Sequence, residues 1–342
     1  MQLPDYNVLP GPLWLVTILH LLTLTLHFAA MNLLVGGVIA VLWGKFTDRW
    51  SHPVVQRFLK LFPGAMAATV TLGVAPLLFL QLIYPRQTYA AGIVSAWFWL
   101  EIIGSVLIAY YLLYGASMSQ KPGAGRRPLY LTVALVLMLF VSIVYSSVFS
   151  MVERPSQIAS LYAQCQSGLV FNPHVEEYLF RWLHMIIGAI TVGGYFVGLL
   201  GKENEEAFRV GRGFFLWGMV ITSVFGLAYL LLLGDVLPKL MHTPAIWALT
   251  LGVILSAGSL HFFFRKKFAP AGAMLGVSML SMVIMRHYVR LINLEGVYDP
   301  STVPVKPQWS VFVLFLIFFV IAVAVLWYML RMFFSGGKKA AE

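Results

Sequence analysis

Four histidines lie inside long apolar stretches of this chain: His20 and His27 in T-I-L-H-L-L-T-L-T-L-H-F, His184 in F-R-W-L-H, and His287 in M-R-H-Y-V-R. A neutral imidazole offers one unprotonated nitrogen, a good ligand for iron. Arg181 stands one helical turn before His184, and Arg286 and Arg290, four apart, share a helix face beside His287. Guanidiniums grip carboxylates in a bidentate fork. Met285 adds a thioether, a candidate second iron ligand. Glu101, in W-F-W-L-E-I-I-G, is an acid within an apolar stretch and could pass protons. Ionisable groups at membrane depth are costly and point to function by default.

Imidazole for iron and guanidinium for two propionates are what a b-type haem asks of a protein, so haem b is the expected cofactor, with two or more haems in all and the type of the active-site haem left open. Small residues that let a flat macrocycle approach the backbone follow both central histidines: Gly36 and Gly37 after His27, and Gly188, Gly193 and Gly194 after His184. Each signal has a plainer explanation. A histidine can hydrogen-bond a neighbouring helix, and glycines can serve close packing. An arginine near a helix end can snorkel to the headgroups. His52, His174, His242 and His261 fall in loops or at span ends and are expected to be solvated or interfacial. His20 and His27 are seven apart, almost two turns, and so face one way about 10 Å from each other.

The elements that position these groups follow from composition. Of 342 residues, 60% are hydrophobic and 11% charged, and the mean hydropathy is +0.85. A water-soluble domain carries about 25% charged residues, so the expected fold is an all-α integral membrane protein. Apolar runs of about 20 residues suffice to cross the bilayer. Nine are expected, near 13–43, 60–83, 93–116, 128–150, 178–200, 211–233, 245–264, 270–292 and 309–334. The first is too long for a signal peptide and is expected to be retained. The net charge of +10 is spread over short loops, a pattern of topology signals and not of a nucleic-acid surface. Sixteen of the 23 Lys and Arg residues fall on one side (among them Lys45, Lys121, Lys202 and Lys266), which places the N-terminus outside and the C-terminus in the cytoplasm. The single cysteine, Cys165, excludes an internal disulfide and covalent c-type haem attachment. The loop near 151–177 is the longest, the tail 335–342 is expected to be disordered, and no short internal repeat is evident.

In order and context these features resemble subunit I of the cytochrome bd-type oxygen reductases. T-L-T-L-H-F-A-A-M-N-L-L-V-G-G is similar to the family's first helix, F-R-W-L-H to its fifth, and E-A-F-R-V-G-R-G-F-F-L-W-G-M with the later L-G-D to its sixth. The resemblance covers spans one to six. It implies nine spans in a single polytopic domain: spans one to four around an active haem at His27, spans five to eight around a low-spin haem b at His184, and a peripheral span nine. Glu101 is similar to one of two acids on the family's third helix. The family's large quinol-binding loop is reduced here to L-G-D-V-L-P-K-L-M-H-T-P, its G-R-Q-P-W signature is absent, and no methionine lies between Thr243 and Phe264. His20, His287, His242 and Met285 remain as candidate second ligands.

The resemblance therefore implies an oxidoreductase subunit of a respiratory chain in the bacterial cytoplasmic membrane. It would take electrons from an outside c-type cytochrome, have oxygen as a candidate acceptor, and work with a second membrane subunit. Alternatives are a haem-bearing quinone-linked anchor without oxygen chemistry, and a proton-coupled transporter.

Overall fold

The structure, a computed structural model, describes residues 8–118 and 125–339. Lys121 and residues 340–342 of the expected tail lie outside the described residues. Among those described, eight helices are long and apolar enough to cross a membrane: α1 (Leu13–Trp43), α2 (Pro53–Ile83), α4 (Ala96–Met118), α5 (Arg127–Val152), α7 (Leu179–Leu200), α8 (Glu205–Leu231), α10 (Ala245–Phe264) and α11 (Phe268–Asn293). Short helices α3 (Pro85–Val94), α6 (Pro155–Gln164) and α9 (Val236–Met241) lie in the connections, and α12 (Trp309–Lys339) ends the chain. Apolar surroundings leave backbone groups no partner but each other, which is why these segments are helices. The protein is an all-helical membrane protein. The expected ninth span corresponds to α12, whose described apolar stretch, Trp309–Ile321, is shorter than the other eight. Helix α12 also continues through 335–339, a segment expected to be disordered.

The helices pack as antiparallel hairpins, α1 with α2, α4 with α5, α7 with α8 and α10 with α11, and α1 lies against α7. Local sequence sets several of the starts. His52 accepts from the Val54 amide as an N-cap ahead of Pro53, and Asn204 caps α8 through the Ala207 amide.

The crossing of α1 and α7 reveals an internal duplication. A Cβ on Gly36 would lie 1.9 Å from the Ala189 carbonyl oxygen, and one on Gly193 would lie 2.4 Å from the Gly36 carbonyl carbon. Gly36 and Gly193 occupy the same place in two matching segments: His27, Val35, Gly36, Gly37, Gly44 and Lys45 in the first, and His184, Val192, Gly193, Gly194, Gly201 and Lys202 in the second. The following helices match as well. Phe62, Met66, Thr69, Gly73 and Ala75 of α2 correspond to Phe215, Met219, Thr222, Gly226 and Ala228 of α8. Contacts follow the correspondence: Gly37 abuts the Phe62 ring, and Gly194 abuts the backbone of Phe215. Equivalent glycines touching each other is what a two-fold axis through the crossing produces. Both copies run the same way through the bundle, so the repeat is of the parallel kind. No short repeat was expected, and this one is long: its identities are spaced too widely to show as a short motif.

Candidate functional site

Three of the four singled-out histidines are held by one device. Nδ1 of His27 lies 2.9 Å from the Thr69 carbonyl oxygen, Nδ1 of His184 lies 2.8 Å from that of Thr222, and Nδ1 of His20 lies 3.1 Å from that of Pro76. A carbonyl only accepts, so each Nδ1 carries the proton and each neutral ring keeps its free lone pair on Nε2. Among the described residues no hydrogen bond is made at any of those three Nε2 atoms. This is how metal-ligating imidazoles are oriented: one nitrogen fixed by a backbone oxygen, the other left for the metal.

Glycine makes two of the three seats possible, those of His27 and His184. A Cβ on Gly73 would come within 2.9 Å of the His27 ring, and one on Gly226 within 2.7 Å of the His184 ring. Each glycine lies one turn beyond the threonine whose carbonyl is used, so the Cε1–Nδ1 edge of the ring rests close to the facing helix. The Thr222 hydroxyl also donates to the His184 carbonyl at 2.7 Å, locking α7 to α8 at this level.

The arginines converge on Glu153, an acid that no motif singles out. Glu153 follows the last residue of α5 and is 4% exposed. Arg286 donates to its Oε1, Arg290 Nε lies 3.4 Å from the same oxygen, and Arg181 Nη1 lies 3.8 Å from Oε2. Arg181 also donates to the Ser146 carbonyl at 2.8 Å, and Arg290 stacks over the Tyr84 ring at 5.6 Å. The ends of α2, α5 and α11 and the start of α7 therefore meet on one face of the bundle. Three guanidiniums against one carboxylate leave a surplus of two positive charges in a buried site. Arg286 also reaches the Tyr229 hydroxyl at 3.4 Å, one turn from Gly226, and Arg181 is one turn from His184. The cluster thus borders the His184 seat.

The long loop holds this cluster in place. Arg154 pairs with Glu177 at 2.9 Å, and Asn172 bonds Ser147, Ser150 and Glu177. Glu153 falls in the 151–177 loop; its signal in the sequence is an acid directly at a span end, alongside three arginines within or at the ends of other spans.

The remaining candidates divide. His287 is partly buried near His20 and Arg290, and its Nδ1 is buried without a hydrogen-bond partner. Met285 packs in an apolar cluster with Leu240, Ala245 and Val289, which packing alone explains. Glu101 is exposed on the outside of the bundle and accepts from Ser105 at 3.1 Å. The buried stripe of α4 runs through Ile102, Ser105, Ala109, Leu113 and Ala116, which leaves position 101 at its rim. The acid expected within an apolar stretch is thus an exposed one. His52 is an N-cap, His174 pairs with Glu176 at 3.4 Å, and His242 and His261 are exposed.

Among the described residues no three His, Cys, Asp or Glu side chains gather as a bare metal ion needs. An iron already held by four ring nitrogens asks for only one or two protein donors. Comparison with protein-family models, with curated proteins and with solved structures returns no match to this chain.

Proposed function

We propose that this chain is a haem b-carrying membrane subunit of an electron-transfer complex, similar in plan to subunit I of the cytochrome bd-type oxygen reductases. The observation that carries this reading is the repeated histidine seat, with Nδ1 tied to a neighbouring helix and Nε2 free. The residues fit the group: His184 and His27 would ligate iron, with His20 and His287 as further donors. Arg181, Arg286 and Arg290 supply the two positive charges that two propionates would neutralise. A haem bound here supplies one-electron chemistry. The chain's own part is to orient the imidazoles, hold the carboxylates and keep water from the site.

In this reading the N-terminal face is the outside of a bacterial cytoplasmic membrane, a c-type cytochrome docks there as donor, and a second membrane subunit completes the complex. Oxygen is the acceptor carried over from the family resemblance. The exterior position of Glu101 favours a second reading, a haem-bearing anchor that relays electrons without oxygen chemistry. The duplication is also a feature of transporters, but α1, α2, α7 and α8 run unbroken where transporter sites interrupt their helices.

Replacing His184 with Ala should remove a b-type signal from the reduced-minus-oxidised spectrum of the purified protein; an unchanged spectrum would refute the assignment. Oxygen uptake with reduced cytochrome c, compared with a quinol, separates oxidase from anchor.

A further inference from the structure

We propose that a cavity at the basic face of the bundle binds the phosphate headgroup of an anionic phospholipid. The cavity, about 460 Å³, lies between the start of α2 and the end of α7, where Pro53, Val54, Arg57, Leu199 and Lys202 line it. That is room enough for a headgroup, since small-molecule sites begin near about 300 Å³. It lies at the end of α7 opposite Arg181 and Glu153, and it is independent of the haem reading.

Three observations give the ligand its chemistry. The first is a pair of cations with donors to spare. Nη1 of Arg57 donates to the Leu200 carbonyl, which the end of α7 leaves without a helical partner. That bond holds the guanidinium at the cavity, and among the described residues Arg57 forms no ion pair. Lys202 adds a second cation; its pairing with Glu203 is loose, at 3.9 Å, with both side chains largely exposed. Two such cations suit a phosphodiester, an anion with two free oxygens. The second observation is depth. Lys202 stands two residues beyond the last residue of an apolar span, the level at which basic side chains meet lipid headgroups. The third is an open apolar strip below the cations. Leu61 and Gly64 follow Arg57 on one face of α2, one and two turns deeper. Leu61 is 43% exposed, and a Cβ on Gly64 would meet nothing within 4 Å. An acyl chain can lie along that strip, for which a free phosphate has no use. The corresponding end of α1 is built differently. There Arg49 commits Nη1 and Nη2 to the Leu42 and Gly44 carbonyls, at 2.6 and 2.8 Å. The duplication therefore does not itself require a free cation at this level. A neighbouring cavity at Arg209 and Arg212 includes Glu205 and Glu206 in its lining, which offset its cations.

The test is native mass spectrometry of the full-length protein, stripped of lipid in detergent and titrated with phosphatidylglycerol, phosphatidylcholine or inorganic phosphate. Phosphatidylglycerol should occupy its first site ahead of phosphatidylcholine, and inorganic phosphate should not displace it. Lys202→Gln should weaken that first step about fivefold, the share of one cation at a lipid surface. Arg57→Gln should weaken it at least as much, and Arg57→Lys should recover part of the loss. Lys202 is an exposed side chain, so its variant keeps the test clear of any folding defect at Arg57. Lys267→Gln removes a cation on the same face outside the cavity and should change nothing. Equal affinity for the two lipids, parent-like binding by both Gln variants, or an equal loss in Lys267→Gln overturns the site. Displacement of the lipid by inorganic phosphate overturns the lipid assignment and leaves a plain anion site.

Discussion

Glu153 sets the electrostatics of the buried face, and two predictions belong to single residues. Burial alone pushes its carboxyl up, but Arg286, Arg181 and Arg290 outweigh that and hold it below the usual carboxylate range. A folded value that is depressed stabilises the fold fully above the ordinary range, about 4.3 for a glutamate, and that contribution disappears as pH falls through the lower folded value. Thermal unfolding in detergent should therefore weaken in acid. Glu153→Gln should lose about 3–5 kcal/mol at neutral pH, the usual penalty for stripping a buried charge of its partner, and should respond less to acid. A variant that melts like its parent at pH 7 would show the cluster to be slack. Glu101 behaves oppositely. It lies outside the bundle, so Glu101→Gln should leave the haem spectrum unchanged, and a shifted band on that substitution would restore it to the site.

At the scale of elements, the α1–α7 crossing is the tightest joint. A methyl group on Gly36 must displace the Ala189 carbonyl, and one on Gly193 must displace the backbone of Gly36. Forcing extra carbon into a packed contact costs about 1–3 kcal/mol. Gly36→Ala and Gly193→Ala should each lower the melting temperature, and their effects should not add, since either one opens the same contact. Additive losses would mean that the two glycines pack independently. Most helix bounds were legible beforehand because apolar length fixes them: 245–264 is matched residue for residue by α10. The helical extension of α2 back to Pro53 and of α8 back to Glu205 was not, since charged residues (Arg57 and Lys60 in α2, Glu205, Glu206 and Arg209 in α8) interrupt the apolar runs there and only capping by His52 and Asn204 reveals the starts. Likewise His27 and His184 stood out as ionisable groups in apolar runs, whereas their anchors, Thr69 and Thr222, act through backbone oxygens that no side-chain pattern advertises.

At the scale of the whole molecule, the duplication and the placement of charge define two distinct faces. One gathers Glu153 and its arginines; the other ties the halves together through Thr47, whose amide and hydroxyl donate to Glu206 at 2.6 and 2.9 Å. The excess of basic residues on that second face predicts that it lies in the cytoplasm. Cys165, the one cysteine, is partly exposed on the loop of the first face. A membrane-impermeant maleimide should therefore label it in intact cells, and labelling only after lysis would reverse the orientation. The three arginines were legible in the sequence by their depth, but their common partner, the Glu153 carboxylate, required the fold. The proposed function requires that the seated imidazoles hold haem iron. A pyridine haemochrome spectrum of the purified protein measures this most directly: a b-type spectrum with haem in at least equal number to chains is predicted, and protein that folds as a helical monodisperse species without bound haem would contradict it.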